Sequence, residues 1–367
     1  MIQAKNTDAT FVASLGAAPR RFPQGTLTLV TDLPRVAAKL EAAAGASGVP
    51  ARRDQGTVVI QVPEGIEDNT CLTFGAFLTS LEQERVFVLR DGVSGPQLRS
   101  LRRILAECQN AWFSEFLRAG SFTAFLQPIV DLEAGTTYGF EALLRASHVD
   151  GTPVPAPQAL SIARATGSLV ELDQRARRAA FEAARRHLKP SDRLFVNVDP
   201  DSVAAGVEDF RPTLEMFDRL VLHPPENVVF ELIESEGIAG FSALDSLLGH
   251  LRDRGFKIAL DDVGSGYSTV GVLERLRPDI VKLDRQIVRG AHANRYRARL
   301  VRAFVELTAD LGLPLIAEGV ETKDDYLFVR DQGIRLAQGF FLGKPAPTGV
   351  RHFPMLERSP EVHADAI

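Results

Sequence analysis

The stretch Lys257-Ile-Ala-Leu-Asp261-Asp262-Val-Gly264-Ser-Gly266-Tyr267-Ser268 joins an apolar run to two adjacent carboxylates and a glycine-containing turn. The apolar run is typical of a buried strand, and the glycines allow the chain to turn sharply after it. Two neighbouring acids at a strand end repel each other unless a positive charge lies close, and a divalent cation can supply that charge. A capping Asp before a glycine turn explains the same residues, so this stretch alone leaves both interpretations open.

Similar apolar runs recur eight times from residue 121 onward. From the third run, each gap is long enough for a helix that crosses back over the sheet, as in a parallel (β/α)8 barrel. The first gap, residues 131–137, is too short for a crossover, so the first two runs must form an antiparallel hairpin. The sequence therefore predicts an α/β fold: a TIM-like barrel in which one strand runs against the other seven. The predicted strands are 123–130, 138–145, 194–198, 228–233, 257–261, 279–283, 313–317 and 336–341, and three of the predicted crossover helices are 210–222, 241–254 and 295–311.

A smaller α/β pattern precedes the barrel. Its apolar runs predict strands at 26–30, 57–62 and 85–89 and helices at 33–44 and 71–81. Pro96 favours the start of a further helix, whose apolar residues recur at intervals of three and four. We therefore expect a small α/β regulatory or dimerisation domain of unassigned family at 1–92, a connector helix at 93–120, the barrel at 121–350 and a tail at 351–367.

Composition and charge exclude several classes of function. The 367-residue chain has a formal net charge of −5, and its basic residues are mostly scattered arginines, so the sequence lacks the basic patch of a protein that binds duplex nucleic acid. No apolar run has the length of a membrane span and residues 1–10 are polar, so we expect no membrane insertion and a cytoplasmic location. Cys71, Cys108 and the seven histidines show no metal-ligand spacing, which argues against a zinc site.

Polar residues stand at the ends of successive predicted strands of the barrel. In such a fold the carboxyl ends of the strands meet at one rim, so these side chains should converge. Five carboxylates at one rim would repel each other severely without cations, and oxygen ligands without His or Cys suit Mg²⁺ or Mn²⁺. The residues concerned are Glu141, Asn197, Glu231, Asp261, Asp262, Lys282 and Glu318, with Gln127 and Gln338 on the strands that close the ring.

These same residues carry a family resemblance. The run Phe140-Glu141-Ala142-Leu143-Leu144-Arg145 resembles the signature of the EAL family of cyclic di-GMP phosphodiesterases. The resemblance covers roughly residues 116–350, and none extends over residues 1–115. Further matching blocks are Gln127-Pro-Ile-Val130, Asn197, Glu231-Leu-Ile-Glu234, Asp261-Asp262, Asp279-Ile-Val-Lys282-Leu-Asp284, Ala317-Glu318-Gly-Val-Glu321-Thr322 and Gln338-Gly339-Phe340.

The resemblance implies a site with two Mg²⁺ or Mn²⁺ ions that clamp a phosphate and activate the attacking water. It implies that Lys282 orients this water or neutralises charge in the transition state, and that Glu318 can act as a base. It assigns the first ion to Glu141, Asn197, Glu231 and Asp261, the second to Asp261, Asp262 and Glu318, and contacts with metal-bound waters to Gln338.

The same resemblance implies how substrate and partner subunits are held. Gln127, Leu143 and Arg145 would contact the substrate, with Arg145 reaching a phosphate. Residues of the rim loop would order the site and link dimerisation to activity, so a homodimer is expected. These loop-ordering residues are Glu234, Gly264, Ser265 and Gly266.

The function expected from the resemblance is metal-dependent hydrolysis of cyclic di-GMP to linear pGpG, which lowers the level of a bacterial second messenger. Two alternatives stay open at this point. A catalytically weak EAL-like receptor would bind cyclic di-GMP and signal through the N-terminal domain. A protein-interaction domain would bind no nucleotide, which the presence of Gln127 and Arg145 disfavours.

Overall fold

A computed structural model describes residues 26–54, 57–61, 67–90, 99–204, 206–220, 223–233, 242–264 and 269–353. The chain packs as two compact units. One contains residues up to Arg118 together with Ser161–Ser168, and the other contains Ala119–Leu160 and the residues from Leu169 onward. The domain limits predicted from the sequence, at residues 92, 120 and 350, remain predictions. None of the described helices combines the length and apolar character needed to cross a membrane.

The first unit is a small antiparallel sheet covered by helices. Its strands are ordered β2-β3-β1-β4-β5, and the four longer strands have the split β-α-β topology of ferredoxin-like folds. This confirms the small α/β domain expected before the barrel. The elements are β1 (Thr26–Thr31), α1 (Pro34–Ala46), β2 (Ala51–Asp54), β3 (Thr57–Gln61), α2 (Glu67–Ala76), α3 (Ser80–Glu84), β4 (Val86–Arg90), β5 (Arg99–Ser100), α4 (Leu101–Gln109) and α5 (Trp112–Ala119).

Two helices of this region differ from the prediction. The helix expected at 71–81 is two helices, because Thr79 and Glu82 form a capping box that starts α3. The single connector helix expected at 93–120 is wrong as well. Ser100 caps the start of α4, and the side-chain amide of Asn110 donates to the Ala106 carbonyl at 2.9 Å where α4 ends. Residues 91–98, which include Pro96, lie outside the described residues.

The second unit is an eight-stranded barrel with helices around it. The elements from residue 121 onward are β6 (Ser121–Asp131), β7 (Thr136–Ser147), β8 (Pro153–Val154), α6 (Ala156–Thr166), α7 (Leu169–His187), β9 (Arg193–Val198), α8 (Val207–Leu220), β10 (Val228–Ile233), α9 (Ser242–Asp253), β11 (Lys257–Val263), α10 (Thr269–Leu276), β12 (Ile280–Leu283), α11 (Arg285–Val288), α12 (Arg295–Asp310), β13 (Leu315–Ala317), α13 (Lys323–Asp331) and β14 (Leu336–Ala337), with short 3-10 turns at Pro200–Val203, Pro225–Asn227 and Ala291–Ala293. The second half of α6, from Ser161, belongs to the first unit.

The barrel closes as predicted, with one strand against the other seven. Strand β6 pairs antiparallel with both of its neighbours, β7 and β14, while every other pairing around the ring is parallel. The last strand is shorter than the predicted 336–341. After Ala337 the chain leaves the sheet, because Gln338 and Phe341 exchange backbone hydrogen bonds with Val320 instead.

The barrel strands separate two layers of apolar side chains. One cluster packs between the sheet and the helices, where Phe230 makes an edge contact with Phe210 and a tilted contact with Phe256, at centroid distances of 5.1 and 5.2 Å. Residues on the opposite faces of the strands form a second, smaller cluster inside the barrel. Its members are Ile129, Phe195, Val229, Ala259, Ile280, Ile316 and Leu336. The polar residues of the rim lie directly above this interior cluster.

Gly264, which follows β11, offers a direct test of the local backbone. Its φ is +95°, and a Cβ added there would collide with the side chain of Ile287. We expect Gly264→Ala to destabilise the barrel by at least about 1 kcal/mol, measured by urea unfolding. Gly249 lies within α9, and a Cβ added there would meet no atom within 4 Å. Gly249→Ala should therefore stabilise the fold by about 0.5–1 kcal/mol. Equal effects of the two substitutions would contradict the backbone described at Gly264.

Candidate metal centre and active-site cavity

The polar residues of the rim occupy the next inward-facing position of each strand after the apolar cluster inside the barrel. Because side chains alternate along a strand, the residue two positions from an inward-facing apolar one also faces inward. Thus Glu231 stands two residues after Val229. In the antiparallel strand β6 the order reverses, and Gln127 stands two residues before Ile129. The corresponding residues of the other strands are Asn197 after Phe195, Asp261 after Ala259, Lys282 after Ile280, Glu318 after Ile316 and Gln338 after Leu336, with Glu141 opposite Gln127.

Lys282 lies at the centre of this ring and is completely buried. Its ammonium group is in ion-pair contact with four carboxylates, from four different strands or strand ends. The distances from Lys282 Nζ are 2.7 Å to Glu231 Oε1, 2.7 Å to Glu318 Oε1, 3.1 Å to Asp261 Oδ1 and 3.4 Å to Glu141 Oε2. One ammonium group is therefore shared by four carboxyl groups.

Hydrogen bonds fix the orientation of Glu141. Asn197 Nδ2 donates to Glu141 Oε1 at 2.9 Å, and Gln338 Nε2 donates to Glu141 Oε2 at 2.6 Å. Gln338 Nε2 also lies 3.1 Å from Gln127 Oε1, and Gln127 in turn donates to the Gly343 carbonyl at 3.1 Å. Because the Asn197 amide donates through its nitrogen, its oxygen is left as a possible metal ligand.

An irregularity in β11 brings its two adjacent aspartates to the same rim. In a regular strand Asp261 and Asp262 would point to opposite faces. Here the register with β12 shifts between Leu260 and Val263, and Asp262 adopts a left-handed φ of 55°. Ligand oxygens of Asp261, Asp262 and Glu318 consequently lie within 4.8 Å of one another.

Burial and mutual repulsion change the protonation of the cluster. Burial raises the pKa of Glu231 and of Glu318 well above the ordinary value; Glu141 and Asp261 raise both pKa values further, while Lys282 lowers them in part. Burial raises the pKa of Asp262 to about 7, with Asp261 and Asp284 contributing. Burial alone would lower the pKa of Lys282, but the four carboxylates around it raise that pKa well above its ordinary range.

Glu141 is the exception within this cluster. Burial would raise its pKa as well, but Lys282 and the hydrogen bonds from Asn197 and Gln338 lower it below the ordinary value. Glu141 therefore remains a carboxylate that is ready to bind a cation.

The residues present fit divalent cations. Both oxygens of Glu231 and Asp261 Oδ1 are buried and accept no hydrogen bond of regular geometry from the described residues, although Lys282 lies close to both side chains. Buried carboxylate oxygens without donors are costly unless a cation meets them. The available ligand atoms are all carboxylate or amide oxygens, which suit hard divalent ions. The acidic cluster thus has both the charge and the chemistry of a metal centre.

A cavity of about 420 Å³ opens above the cluster. Among the predicted site residues, Gln127, Glu141, Leu143, Asp261, Asp262, Glu318 and Gln338 line it. Arg145 does not: its Nη1 donates to the Leu144 carbonyl at 2.8 Å, and its guanidinium lies 4.9 Å from the Phe125 ring centroid. Gly264 is described above, whereas Glu234, Ser265 and Gly266 lie outside the described residues.

Several lining residues were not predicted as site residues. Asp284 is buried, caps α11 by accepting from the Gln286 backbone N–H, and raises the pKa of Asp262. Its spacing of two residues from Lys282 was a signal that could have identified it. The others also follow the ends of strands and become neighbours only when the barrel closes; they are Arg285, Gln286, Gly319, Glu321, Gly339 and Phe340.

Comparisons with known proteins point in the same direction. The family model described as EAL domain matches residues 110–345. The cyclic di-GMP phosphodiesterase NbdA of Pseudomonas aeruginosa is 29% identical over 236 residues, which are 63% of this chain and 30% of NbdA. The matched region spans about a third of the length of NbdA and of two other curated relatives, and from 33% to 63% of the length of five more.

Two solved structures extend the comparison to three dimensions. A standalone EAL protein from Vibrio cholerae O395, solved with c-di-GMP bound, is 28% identical with a TM-score of 0.56, covering 65% of this chain and 98% of that chain. The PaMucR phosphodiesterase in complex with c-di-GMP is also 28% identical, with a TM-score of 0.57, covering 66% of this chain and 97% of that chain.

The raised pKa of Asp262 predicts a pH dependence of stability when divalent ions are removed by EDTA. In the folded chain this pKa is about 7, against an ordinary value of 3.8. The folded state therefore binds the proton more tightly than the unfolded state, and this stabilisation is lost as pH rises from about 4 to about 7. Asp262→Asn should flatten the fall of unfolding free energy over this range, as measured by urea unfolding. Asp310→Asn, at the exposed end of α12, is the control and should leave the pH dependence unchanged. If Asp262→Asn leaves the pH dependence of the unfolding free energy unchanged, the raised pKa of Asp262 is contradicted.

Proposed function

The chain belongs to the EAL domain family, and from this premise we propose that it hydrolyses cyclic di-GMP to linear pGpG with the help of divalent metal ions. The observation that supports the proposal is the group of oxygen-bearing side chains at the barrel rim. Glu141, Glu231, Asp261 and Glu318 contact Lys282, Asn197 contacts Glu141, and Asp262 lies beside Asp261 and Glu318. The names of the related phosphodiesterases support the same substrate and reaction.

In this proposal two ions occupy the cluster, and Mg²⁺ or Mn²⁺ is the expected identity because all ligands are oxygens. Glu141, Asn197, Glu231 and Asp261 would hold one ion. Asp261, Asp262 and Glu318, whose oxygens lie close together, would hold the second. Bound there, the ions would polarise a phosphate group and lower the pKa of an attacking water.

The protein's own residues supply orientation and proton handling. Asn197 and Gln338 hold both oxygens of Glu141 in place, so its ligand geometry is preset. Lys282 contacts four carboxylates with three N–H groups; when the ions take over some of these carboxylates, it would donate a hydrogen bond to the attacking water or to the developing negative charge on phosphate. In this proposal Glu318 accepts the proton of that water; its side chain is 16% exposed and lines the cavity, whereas Glu231 is fully buried.

The substrate would lie in the cavity with one phosphodiester bond over the cluster. Water attacks phosphorus, the bond from phosphorus to the ribose 3′ oxygen breaks, and that oxygen takes up a proton. Gln127 and Leu143 line the cavity and would contact the substrate there. Arg145 would have to exchange its hydrogen bond with the Leu144 carbonyl for a phosphate oxygen, which is a stronger, charge-assisted partner.

The proposal also includes a homodimer whose rim loop, with Glu234, Gly264, Ser265 and Gly266, links association to activity. The N-terminal unit would then be the regulatory part of the chain. Analytical ultracentrifugation of the full chain, in parallel with activity measurements, tests this part of the proposal separately from the chemistry.

Asp261 gives the most direct test of the chemistry, since it would bridge both ions. We expect Asp261→Asn to reduce the rate of pGpG formation on the order of a thousandfold while the barrel stays folded by circular dichroism. Asp253→Asn, at the exposed end of α9, is the matched control and should retain full activity. Unchanged turnover in Asp261→Asn would contradict the metal assignment. Tight binding of cyclic di-GMP without product in the unmodified chain would make the protein a receptor instead.

A further inference from the structure

A second cavity, of about 670 Å³, lies at the end of the barrel opposite the carboxylate cluster. It is lined by residues at the start of strands β7, β9, β13 and β14, at the end of β6, and on helix α12 and the turn that follows it. Because the cluster lies at the carboxyl ends of the parallel strands, the first residues of those strands lie at the other end of the barrel. The cavity has the size of a small-molecule site, and the proposed hydrolysis does not use it.

An irregularity in β7 turns two adjacent side chains into this cavity. Ile129 and Val130 of β6 lie opposite Gly139 and Thr137 of β7, so Tyr138 is an extra residue in the pairing. In a regular strand Thr137 and Tyr138 would point to opposite faces, whereas here both line the cavity. The Thr137 hydroxyl oxygen is buried and has no hydrogen-bond partner among the described residues. A buried hydroxyl group without a partner is costly, and a polar ligand group in the cavity would offset that cost.

The carboxylates in the wall of this cavity are already paired. Asp131 accepts hydrogen bonds from Arg335 Nε at 2.8 Å and from two backbone N–H groups at 3.1 and 3.0 Å. Asp192 accepts from both terminal nitrogens of Arg351, at 2.8 and 2.5 Å, and from the Lys189 N–H at 2.6 Å. Neither carboxylate therefore carries an unbalanced charge that would attract a cationic ligand.

Arg193 is the exception among the charged residues of the wall. Its guanidinium carbon lies 4.4 Å from the Tyr138 ring centroid, and it has no carboxylate partner among the residues that the structure describes. A Cβ at Gly139 would lie only 3.0 Å from Arg193 Cβ, so the glycine leaves room for the arginine side chain to start here. A guanidinium group presents five N–H donors in a planar fork that matches carboxylate and phosphate groups. The charge that the wall offers to a ligand is thus positive.

Another part of the wall is apolar. Val305 and Ala309 lie one turn apart on α12, and Leu313 and Pro314 follow the end of that helix. Leu336, which belongs to the apolar cluster inside the barrel, also lines the cavity. The cavity therefore offers an apolar surface to the body of a ligand and a guanidinium group to an anionic end.

We propose that this cavity binds a small amphipathic organic anion, with an apolar body and one carboxylate or phosphate group. Arg193 pairs with the anionic group, the Thr137 hydroxyl donates a hydrogen bond to it, and the apolar residues of α12 and the following turn cover the body. The proposal does not depend on the reaction at the metal centre, because no described residue lines both cavities.

Ligand-observed NMR titration of the full chain in EDTA tests the proposal, with 1-naphthoate and 1-naphthyl phosphate as probes. At least one probe should bind with a Kd of about 1 mM or tighter, as expected for an anion of this size in a preformed cavity. The tighter probe distinguishes a carboxylate ligand from a phosphate ligand, and binding of either supports the site. The neutral analogue 1-naphthalenemethanol should bind at least about tenfold more weakly.

Two substitutions test the two halves of the cavity separately. Arg193→Gln removes the charge, and Ala309→Trp fills the apolar part; each should weaken binding of the anionic probes at least about tenfold. The matched controls are Arg299→Gln and Ala303→Trp, because both residues are exposed on α12 and lie outside the cavity. Both controls should bind the probes as the unmodified chain does, and circular dichroism checks that each variant is folded.

Failure of both naphthyl anions to bind at about 5 mM would overturn the proposal. Unchanged binding in folded Arg193→Gln or Ala309→Trp would overturn it as well, as would an equal loss in a matched control, because the anions would then bind elsewhere on the chain. If Arg193→Gln does not fold, the comparison of Ala309→Trp with Ala303→Trp decides.

Discussion

The carboxylates at the barrel rim outnumber the positive charges that could neutralise them, and the rest of the site depends on this imbalance. Four carboxylates contact the Lys282 ammonium in a fully buried position, and Asp262 adds a fifth carboxylate beside Asp261. A buried charge is tolerated only when it is paired and hydrogen bonded, and a single ammonium cannot do this for every oxygen. The chain relieves the imbalance partly by protonation, as the raised pKa values of Glu231 and Glu318 show. Divalent ions would neutralise the remaining negative charge, and their binding would stabilise the folded chain.

The barrel makes this concentration of acids possible. Alternation along the strands places an apolar residue inward at one level and a polar residue inward at the next, and the closed ring brings one polar residue from each strand to a common centre. The reversed strand β6 contributes Gln127 to the same level from the opposite direction, and that amide steadies Gln338. The left-handed Asp262 adds a further carboxylate that a regular strand would have turned away.

Much of this arrangement could be predicted from the sequence. The eight barrel strands, the antiparallel hairpin and the convergence of strand-end acids follow from strand periodicity and gap lengths, which are local properties. The missed features depend on tertiary contacts. Strand β14 ends early because the backbone after Ala337 forms hydrogen bonds with Val320. Asp284 raises the pKa of Asp262 because the fold brings the two side chains close together. The break between α4 and α5 depends on the Asn110 amide, whose hydrogen bond competes with the helix. The resting position of Arg145 depends on Phe125, which comes from the neighbouring strand.

The central claim, that the carboxylate cluster exists to hold divalent cations, is tested most directly by calorimetric titration of the metal-free full chain with Mn²⁺. The account predicts two ions bound per chain, and a loss of at least one of them in Glu231→Gln, because Glu231 is completely buried and the Lys282 ammonium is its sole ion-pair partner among the described residues. A chain that binds no Mn²⁺ at millimolar concentration, or a Glu231→Gln variant with the same stoichiometry and affinity, would contradict it.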